Sequence, residues 1–263
     1  MGFKKLKDFG QHFLNDSSIA TDMVREAVLK PGDKVWEVGP GLGVLTAEII
    51  QSGAELTAFE IDRRLKIPLT EQFGSDLNLV MSDILSVNWE SELSTYEPQS
   101  LKLVANIPYQ ITSPLLYELE KHAKYFKCIV MMVQKEVAQR LTARPSTKEY
   151  GQMTLRLKMQ FDTEILFIVG KEKFDPPPKV DSAIIIMRMR KSKPQIKDID
   201  TFYKLIHAAF LHRRKTLRNN LSGLVSKDKL DILEHESDIE LSRRGETLSE
   251  EEFIHLSDCI TML

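Results

Sequence analysis

Through the first 190 residues, short apolar runs rich in β-branched side chains alternate with stretches in which apolar residues recur every three to four positions. "KVWEV", "ELTAFEI", "LNLVMSD" and "LKLVANI" have the first character; "VLTAEIIQSG", "RRLKIPLTEQF" and "PLLYELEKH" have the second. This rhythm predicts βαβ units and a mostly parallel sheet covered by helices on both faces. "FKCIVMMV", "EILFIV" and "DSAIIIMRMR" predict further strands, the last two antiparallel at the far side of the sheet. "QKEVAQRLTA" and "YGQMTLRLKMQ" predict helices between them.

The pattern changes after "RKSKPQ", where Pro194 and a cluster of charges predict a linker. Beyond it, "IDTFYKLIHAAFLH", "KTLRNNLSGL", "KDKLDILEHE" and "LSEEEFIHLSDCI" keep helical spacing and show no strand-like alternation. The expected division is an α/β domain over residues 1–191 and a small all-helical domain over 192–263. In "TLSEEEF", Thr247 or Ser249 is the expected cap of the last helix, with glutamates in the first turn to satisfy free N–H groups and the helix dipole.

A chain of 263 residues has room for one large and one small domain. With 42% hydrophobic and 28% charged residues, it is expected to be soluble with a full core. No charged-then-apolar leader opens the sequence and no apolar stretch is long enough to span a bilayer, so the cytoplasm is the expected compartment and no membrane partner is expected. Cys128 and Cys259 are far apart and lack metal-site spacing. They read as buried thiols, and no metal is expected. Nothing in the sequence demands a dimer, so a monomer is expected.

The net charge of −2 argues against a protein that coats nucleic acid uniformly. Between Arg188 and Arg218, however, basic residues far outnumber acids, and Lys4, Lys5 and Lys7 add a second basic segment. Such runs are commonly solvated surface. If they share one face, they form a footprint for phosphates.

Candidate chemistry gathers at the predicted strand ends. "EVGPGLG" (37–43) joins the first strand to a helix, and Gly39, Gly41 and Gly43 permit a tight turn and close approach of a ligand to backbone N–H groups. Glu60, ending the next strand, stands where an acid accepts ribose hydroxyls, although a strand-end glutamate is as often plain surface. Asp83 closes the third strand, where it suits an adenine amino group or a simple Asx turn. Together the three favour a nucleoside-bearing cofactor in the crevice at the carboxyl ends of the strands. The acid-x-Gly-x-Gly-x-Gly turn and the "NIPY" ending of the fourth strand favour S-adenosylmethionine over a nicotinamide dinucleotide.

"NIPYQ" (106–110) supplies the reaction chemistry. The lone pair of adenine N6 is delocalised into the ring, so the nitrogen is a poor nucleophile. Accepting its two hydrogens, with the Asn106 side-chain oxygen and a backbone carbonyl beside Pro108, moves it towards tetrahedral geometry. Pro108 fixes φ and so aims the backbone. Tyr109 offers a flat face on which an extruded base stacks.

"NIPY" resembles the Asn-Leu/Ile-Pro-Tyr signature of adenine-N6 methyltransferases acting on ribosomal RNA, and the likeness runs along nearly the whole chain. "FGQHFLND" (9–16), "EVGPGLGVLT", "MMVQKEVAQRLTA", "YGQMTL", "FDPPPKVDSA" (174–183), "RRKTLRNNL" (213–221) and "RRGETLSEEEF" (243–253) are similar, in order, to segments of the small-subunit rRNA adenine dimethyltransferases. The resemblance implies a class I, Rossmann-like S-adenosylmethionine-dependent methyltransferase sheet with a helical C-terminal rRNA-binding domain. It also implies formation of N6,N6-dimethyladenosine at two adjacent adenosines near the 3′ end of small-subunit rRNA, within an assembling 30S particle. It places His12, Leu14, Gly39, Gly41, Glu60, Asp83 and Asn106 on the cofactor, Asn106, Pro108 and Tyr109 at the target base, and Phe174 as the opposite stacking partner. Arg213, Arg214, Lys215 and Arg218, with Arg243 and Arg244, are expected on rRNA phosphates, although Arg218 has an alternative role tying the domains together. Trp36 and His12 depart from the usual aliphatic residue and Asn.

Three other readings compete. A methyltransferase of the macrolide-resistance type modifies a large-subunit adenine, but "GQHFL" and "RRKTLRNNL" disfavour it. A non-catalytic assembly factor would keep the fold for binding and timing; the intact "NIPY" and "EVGPGLG" argue for activity and leave room for a second, scaffolding role. A nicotinamide-dependent oxidoreductase has no evident use for "NIPY".

Overall fold

A computed structural model of the chain describes residues 12–263. Lys4, Lys5 and Lys7, and the first residues of "FGQHFLND", lie outside them. By internal contacts the chain divides into two units: residues up to Ala138 with Phe161–Met189, and Gln139–Gln160 with Arg190–Leu263.

The first unit holds a seven-stranded sheet. In chain order its strands are β2 (Lys34–Val38), β3 (Glu55–Phe59), β4 (Leu77–Val80), β5 (Leu101–Asn106), β6 (Phe126–Gln134), β7 (Phe161–Val169) and β9 (Ser182–Met189), arranged β4-β3-β2-β5-β6-β9-β7. β4 through β6 are mutually parallel, and β9 runs antiparallel to both β6 and β7. The expected antiparallel pair is therefore present, and β9 alone runs against the others. β2 pairs with β3 on one side and β5 on the other, so successive crossovers leave in opposite directions and open a crevice at the carboxyl ends of these two strands.

Helices cover the sheet where apolar spacing demands it. α1 (Ser17–Glu26) starts at Asp16, whose Oδ1 accepts the Ser18 N–H at 3.0 Å, and buries Ile19, Ala20 and Met23. α2 (Val44–Gln51) buries Leu45, Thr46 and Ile49, and α3 (Lys66–Phe73) contributes Leu69. Trp36 is buried, donates from Nε1 to the Tyr96 hydroxyl at 3.0 Å and meets Phe59 edge-on. Its size is accommodated by an aromatic cluster.

Two short elements escape periodicity. α4 (Trp89–Leu93) spans barely more than one turn. β1 (Phe13–Leu14) pairs antiparallel with β8 (Phe174–Asp175), segments 160 residues apart in sequence that only the folded chain brings together.

In the second unit, α8 (Ile199–Leu211), α9 (Leu217–Leu221), α10 (Lys227–Ser237) and α11 (Glu250–Met262) follow the expected pattern. Ser249 is the cap of α11: its Oγ accepts the Glu252 N–H at 3.2 Å and its own N–H donates to Glu252 Oε2 at 2.7 Å. The sequence-based division differs from the observed one at two places: the helical unit begins at Arg190, two residues earlier than expected, and it takes in an internal segment. Gln139–Gln160, expected within the α/β domain, belongs to the helical unit. The physical reason is its apolar surface: Tyr150, Leu155 and Met159, the last two flanking or within α7 (Gln152–Lys158), are buried in the same core as Phe202, Leu217, Leu233 and Phe253. Cys128 and Cys259 are both buried free thiols.

Candidate functional site

The crevice at the carboxyl ends of β2 through β5 is a cleft of about 1010 Å3, part of it open solvent. His12, Leu14, Gly39, Gly41, Glu60, Asp83, Asn106, Pro108 and Tyr109 all line it. One end of the sheet gathers them because each follows or ends a strand, or belongs to the β1 segment laid across it.

The glycine loop uses left-handed backbone at Gly39, Gly41 and Gly43, with φ of 72°, 58° and 83°. Space adds a second constraint at Gly41, where a Cβ would lie 3.1 Å from the Phe13 ring. The loop is tied to Glu60, whose Oε2 accepts the Gly41 N–H at 3.2 Å while Oε1 accepts the Asp62 N–H at 2.8 Å. Glu60 is only 5% exposed, and burial raises its pKa above the ordinary carboxylate range despite these bonds. Asp83 makes an Asx turn, its Oδ1 accepting the Leu85 N–H at 2.9 Å, so the simple turn and the open acceptor coexist in one side chain.

Glu37, the first residue of "EVGPGLG", went unassigned from sequence. It is buried, lines the cleft, accepts the Thr46 hydroxyl at 2.7 Å, and is pushed up to about 8, chiefly by burial and further by the nearby Glu60. The signal for it was an acid inside an otherwise apolar strand.

Three carboxyl groups, narrow backbone at glycine, and apolar Leu42, Ile61 and Ile84 make a donor-seeking, partly greasy cleft. It fits a ligand with ribose hydroxyls, an adenine amino group and a positive charge, as S-adenosylmethionine has.

At the other side of the cleft, Asn106 ends β5 in register with Met132 of β6. Pro108, at φ −55° and ψ 124°, turns the chain so that its carbonyl accepts the Ile111 N–H at 3.1 Å. The Tyr109 hydroxyl and Ser182 Oγ are 2.6 Å apart, and burial raises the phenol pKa. Ser182 is fully buried at the start of β9, and no local sequence signal marks it, because only the β6–β9 pairing brings it to Tyr109.

Phe174 departs from expectation. It is 3% exposed, pairs with Leu14 across β1–β8, packs in the main core with Ile19 and Val169, and is not itself among the residues that line the cleft. Strand alternation turns it inward beside its buried partner. The ring that lies over Tyr109 is His12, with centroids 5.8 Å apart and planes inclined by 27°.

The basic residues of the helical unit separate into two groups. Arg213 pairs with Glu246 at 2.9 Å, Arg218 with Asp231 at 2.7 Å and with Glu234, and Arg243 with Glu252. Arg218 thus ties α9 to α10 inside its own unit. Arg214, Lys215 and Arg244 are exposed and have no carboxylate partner among the described residues. Among the described residues, no helix is long and apolar enough to cross a membrane, and no group of three or more His, Cys, Asp or Glu is placed to hold a metal.

A family model described as ribosomal RNA adenine dimethylase matches residues 2–261. The chain is 41% identical to a ribosomal RNA small subunit methyltransferase A of Lactococcus lactis subsp. lactis (strain IL1403), across 99% of this chain and 92% of that one. Among solved structures, a dimethyladenosine transferase from Plasmodium falciparum aligns with a TM-score of 0.76 at 27% identity, covering 93% of this chain and 96% of that one. The 23S rRNA methyltransferase ErmE aligns with a TM-score of 0.71 at 24% identity, covering 95% and 99%, a likeness of fold alone.

Proposed function

The chain belongs to the ribosomal RNA adenine dimethylase family, and from that premise we propose that its cleft transfers methyl groups from S-adenosylmethionine to adenine N6 in small-subunit rRNA, forming N6,N6-dimethyladenosine. The observation that carries this reading is the shared cleft: a nucleoside-suited set of carboxyl groups on one side, and Asn106, Pro108 and Tyr109 on the other. We extend it to two adjacent adenosines near the 3′ end of the RNA, met within an assembling small subunit by a cytoplasmic monomer.

Glu60 holds ribose hydroxyls, Asp83 the adenine amino group, and the glycine loop the backbone-facing side of the cofactor. Bound S-adenosylmethionine supplies an electrophilic methyl group on a sulfonium centre. The remaining work belongs to the chain. Tyr109 stacks on the extruded base, and its tether to Ser182 fixes the plane of that stack. Asn106 Oδ1 accepts one N6 hydrogen. The second acceptor is the Ile107 carbonyl, the backbone carbonyl between Asn106 and Pro108. Two fixed acceptors favour the pyramidal nitrogen over the planar one, and alignment of the reacting atoms supplies much of the remaining rate. After the first methylation one N6 hydrogen is left, so one acceptor loses its partner in the second round.

The test is methyl transfer by purified protein to immature small subunits and, separately, to large-subunit rRNA, with mass spectrometry of the nucleosides. N6,N6-dimethyladenosine in the first substrate is expected, and it should vanish in Asn106→Ala while particle binding stays within about threefold, since removal of one preorganised polar partner costs roughly 100- to 1000-fold in rate. Methyl transfer confined to large-subunit RNA would sink the proposal.

A further inference from the structure

The wall of the cleft that follows β3 is one tight turn, residues 60–65. Glu60, Ile61 and Leu65 line the cleft, whereas Asp62 and Arg64 are not among its lining residues and build the turn from outside it. The Asp62 carboxylate caps the short helical turn Arg63–Leu65, its Oδ1 accepting the Arg64 N–H at 3.1 Å. The Arg64 guanidinium then closes on both oxygens, Nε to Oδ1 at 2.9 Å and Nη2 to Oδ2 at 2.5 Å. A two-pronged pair of this kind fixes orientation as well as distance, which a lone ammonium does not. Its acid is 3% exposed and its base 37%, so the pair is sheltered from water on the side nearer Glu60.

The hold passes to the cleft through one backbone group. The Asp62 N–H donates to Glu60 Oε1 at 2.8 Å and the Gly41 N–H donates to Oε2 at 3.2 Å, so one backbone donor on each oxygen sets the plane of the Glu60 carboxylate. The shorter of these bonds belongs to the residue that Arg64 grips. The Asp62 carbonyl also accepts the Leu65 N–H at 2.9 Å, which closes the turn.

We propose that Asp62 and Arg64 are positioning residues for the cofactor: locked together outside the cleft, they aim Glu60 at the ribose before it arrives. This rests on the functional reading above, in which Glu60 takes the ribose hydroxyls. A carboxylate that is already oriented loses less freedom when the hydroxyls bind, so the clamp acts on cofactor affinity and leaves the methyl-transfer step alone. It acts only through Glu60, and that dependence separates it from a general contribution to folding.

The experiment compares full-length Arg64→Ala and Asp62→Asn with wild type, each alone and in a Glu60→Gln background. Asn keeps an acceptor for the Arg64 N–H and loses the charge. Calorimetry gives S-adenosylhomocysteine affinity, initial rates on immature small subunits give kcat and the KM for S-adenosylmethionine, and thermal melts establish that each variant is folded. Each single variant is expected to bind S-adenosylhomocysteine about three- to tenfold more weakly, with the KM for S-adenosylmethionine raised by the same factor and kcat within about twofold. In Glu60→Gln the same substitutions should cost less than about twofold, because the carboxylate they position is gone. Affinity within about twofold of wild type in both single variants would overturn the inference, as would losses of undiminished size in the Glu60→Gln background or a fall in kcat with KM unchanged. If Asp62→Asn fails to fold, Arg64→Ala, at the more exposed end of the pair, still decides. A wild type that does not bind S-adenosylhomocysteine would sink the functional reading itself, whereas wild-type binding with indifferent variants sinks only the clamp.

Discussion

The phenolic oxygen of Tyr109 and the hydroxyl of Ser182 stand 2.6 Å apart, joining the "NIPY" turn to the first residue of β9. The tyrosine is therefore anchored at its tip and free to stack at its face. Tyr109→Phe keeps the face and loses the anchor, so its rate should fall by less than about tenfold, the worth of one ordinary hydrogen bond. Tyr109→Ala loses the stack, worth about 1–3 kcal/mol, and should fall by about 10- to 100-fold or more. Single-turnover methylation of immature small subunits measures both; equal losses would show that the ring face is not used.

Glu60 accepts N–H groups from Gly41 and Asp62 while lining the cleft. In Glu60→Gln, one of those acceptors becomes an amide that faces a donor. Affinity for S-adenosylhomocysteine should drop by about 10- to 100-fold, the range of one to two charge-assisted bonds. In the wild type, S-adenosylhomocysteine at about 100 times its Kd should add about 2.7 kcal/mol of stability, seen as a raised melting temperature, and NAD should add none.

Glu37 sits in the core with its pKa raised to about 8, first by burial and then by Glu60. A carboxyl with a raised folded pKa binds its proton more tightly folded than unfolded. Its contribution is complete below the unfolded value near 4.5 and is lost as pH rises through about 8. Wild-type stability should therefore decline between pH 5 and 8 by on the order of a few kcal/mol. Glu37→Gln preserves an acceptor for Thr46 and removes the titration, so thermal melts across that range should flatten, with a residual slope from Glu60. A slope unchanged by the substitution would mean that Glu37 is already ionised.

Arg214 and Lys215 have no carboxylate partner among the described residues, whereas Arg218 holds Asp231 and Glu234. Replacing Arg214 and Lys215 with Ala should make the salt dependence of rRNA binding shallower by about 1.4–1.8 in log–log slope and leave the melting temperature unchanged. Arg218→Ala should do the reverse, lowering the melting temperature by a few degrees with the slope intact. Filter binding across a salt series, paired with thermal melts, separates them; a matching change of slope in Arg218→Ala would return that residue to the RNA surface.

Most of the sheet was legible because its strands are buried by periodic apolar runs, and hydrophobic period is a local property. β2, β3, β5 and β6 fall where "KVWEV", "ELTAFEI", "LKLVANI" and "FKCIVMMV" place them. The cleft residues were legible for a related reason: Gly39, Glu60, Asp83 and Asn106 each follow or end a strand, and parallel strands gather their carboxyl ends at one edge. α4 is too short for periodicity to register, and Gln139–Gln160 carries helical spacing compatible with either unit.

By itself the sequence determined the α/β class, the helical character of the C-terminal unit, and the presence of one cleft with acids on one side and "NIPY" on the other. Only the tertiary structure decided which ring faces Tyr109, which arginines remain open to phosphate, and what holds the 174–182 segment. Those outcomes depend on contacts such as His12 with Pro176, Ser182 with Tyr109 and Arg218 with Glu234, between residues 16 to 164 positions apart. Local propensity carries no information about such pairs, because they exist only once the strands and helices have been brought side by side.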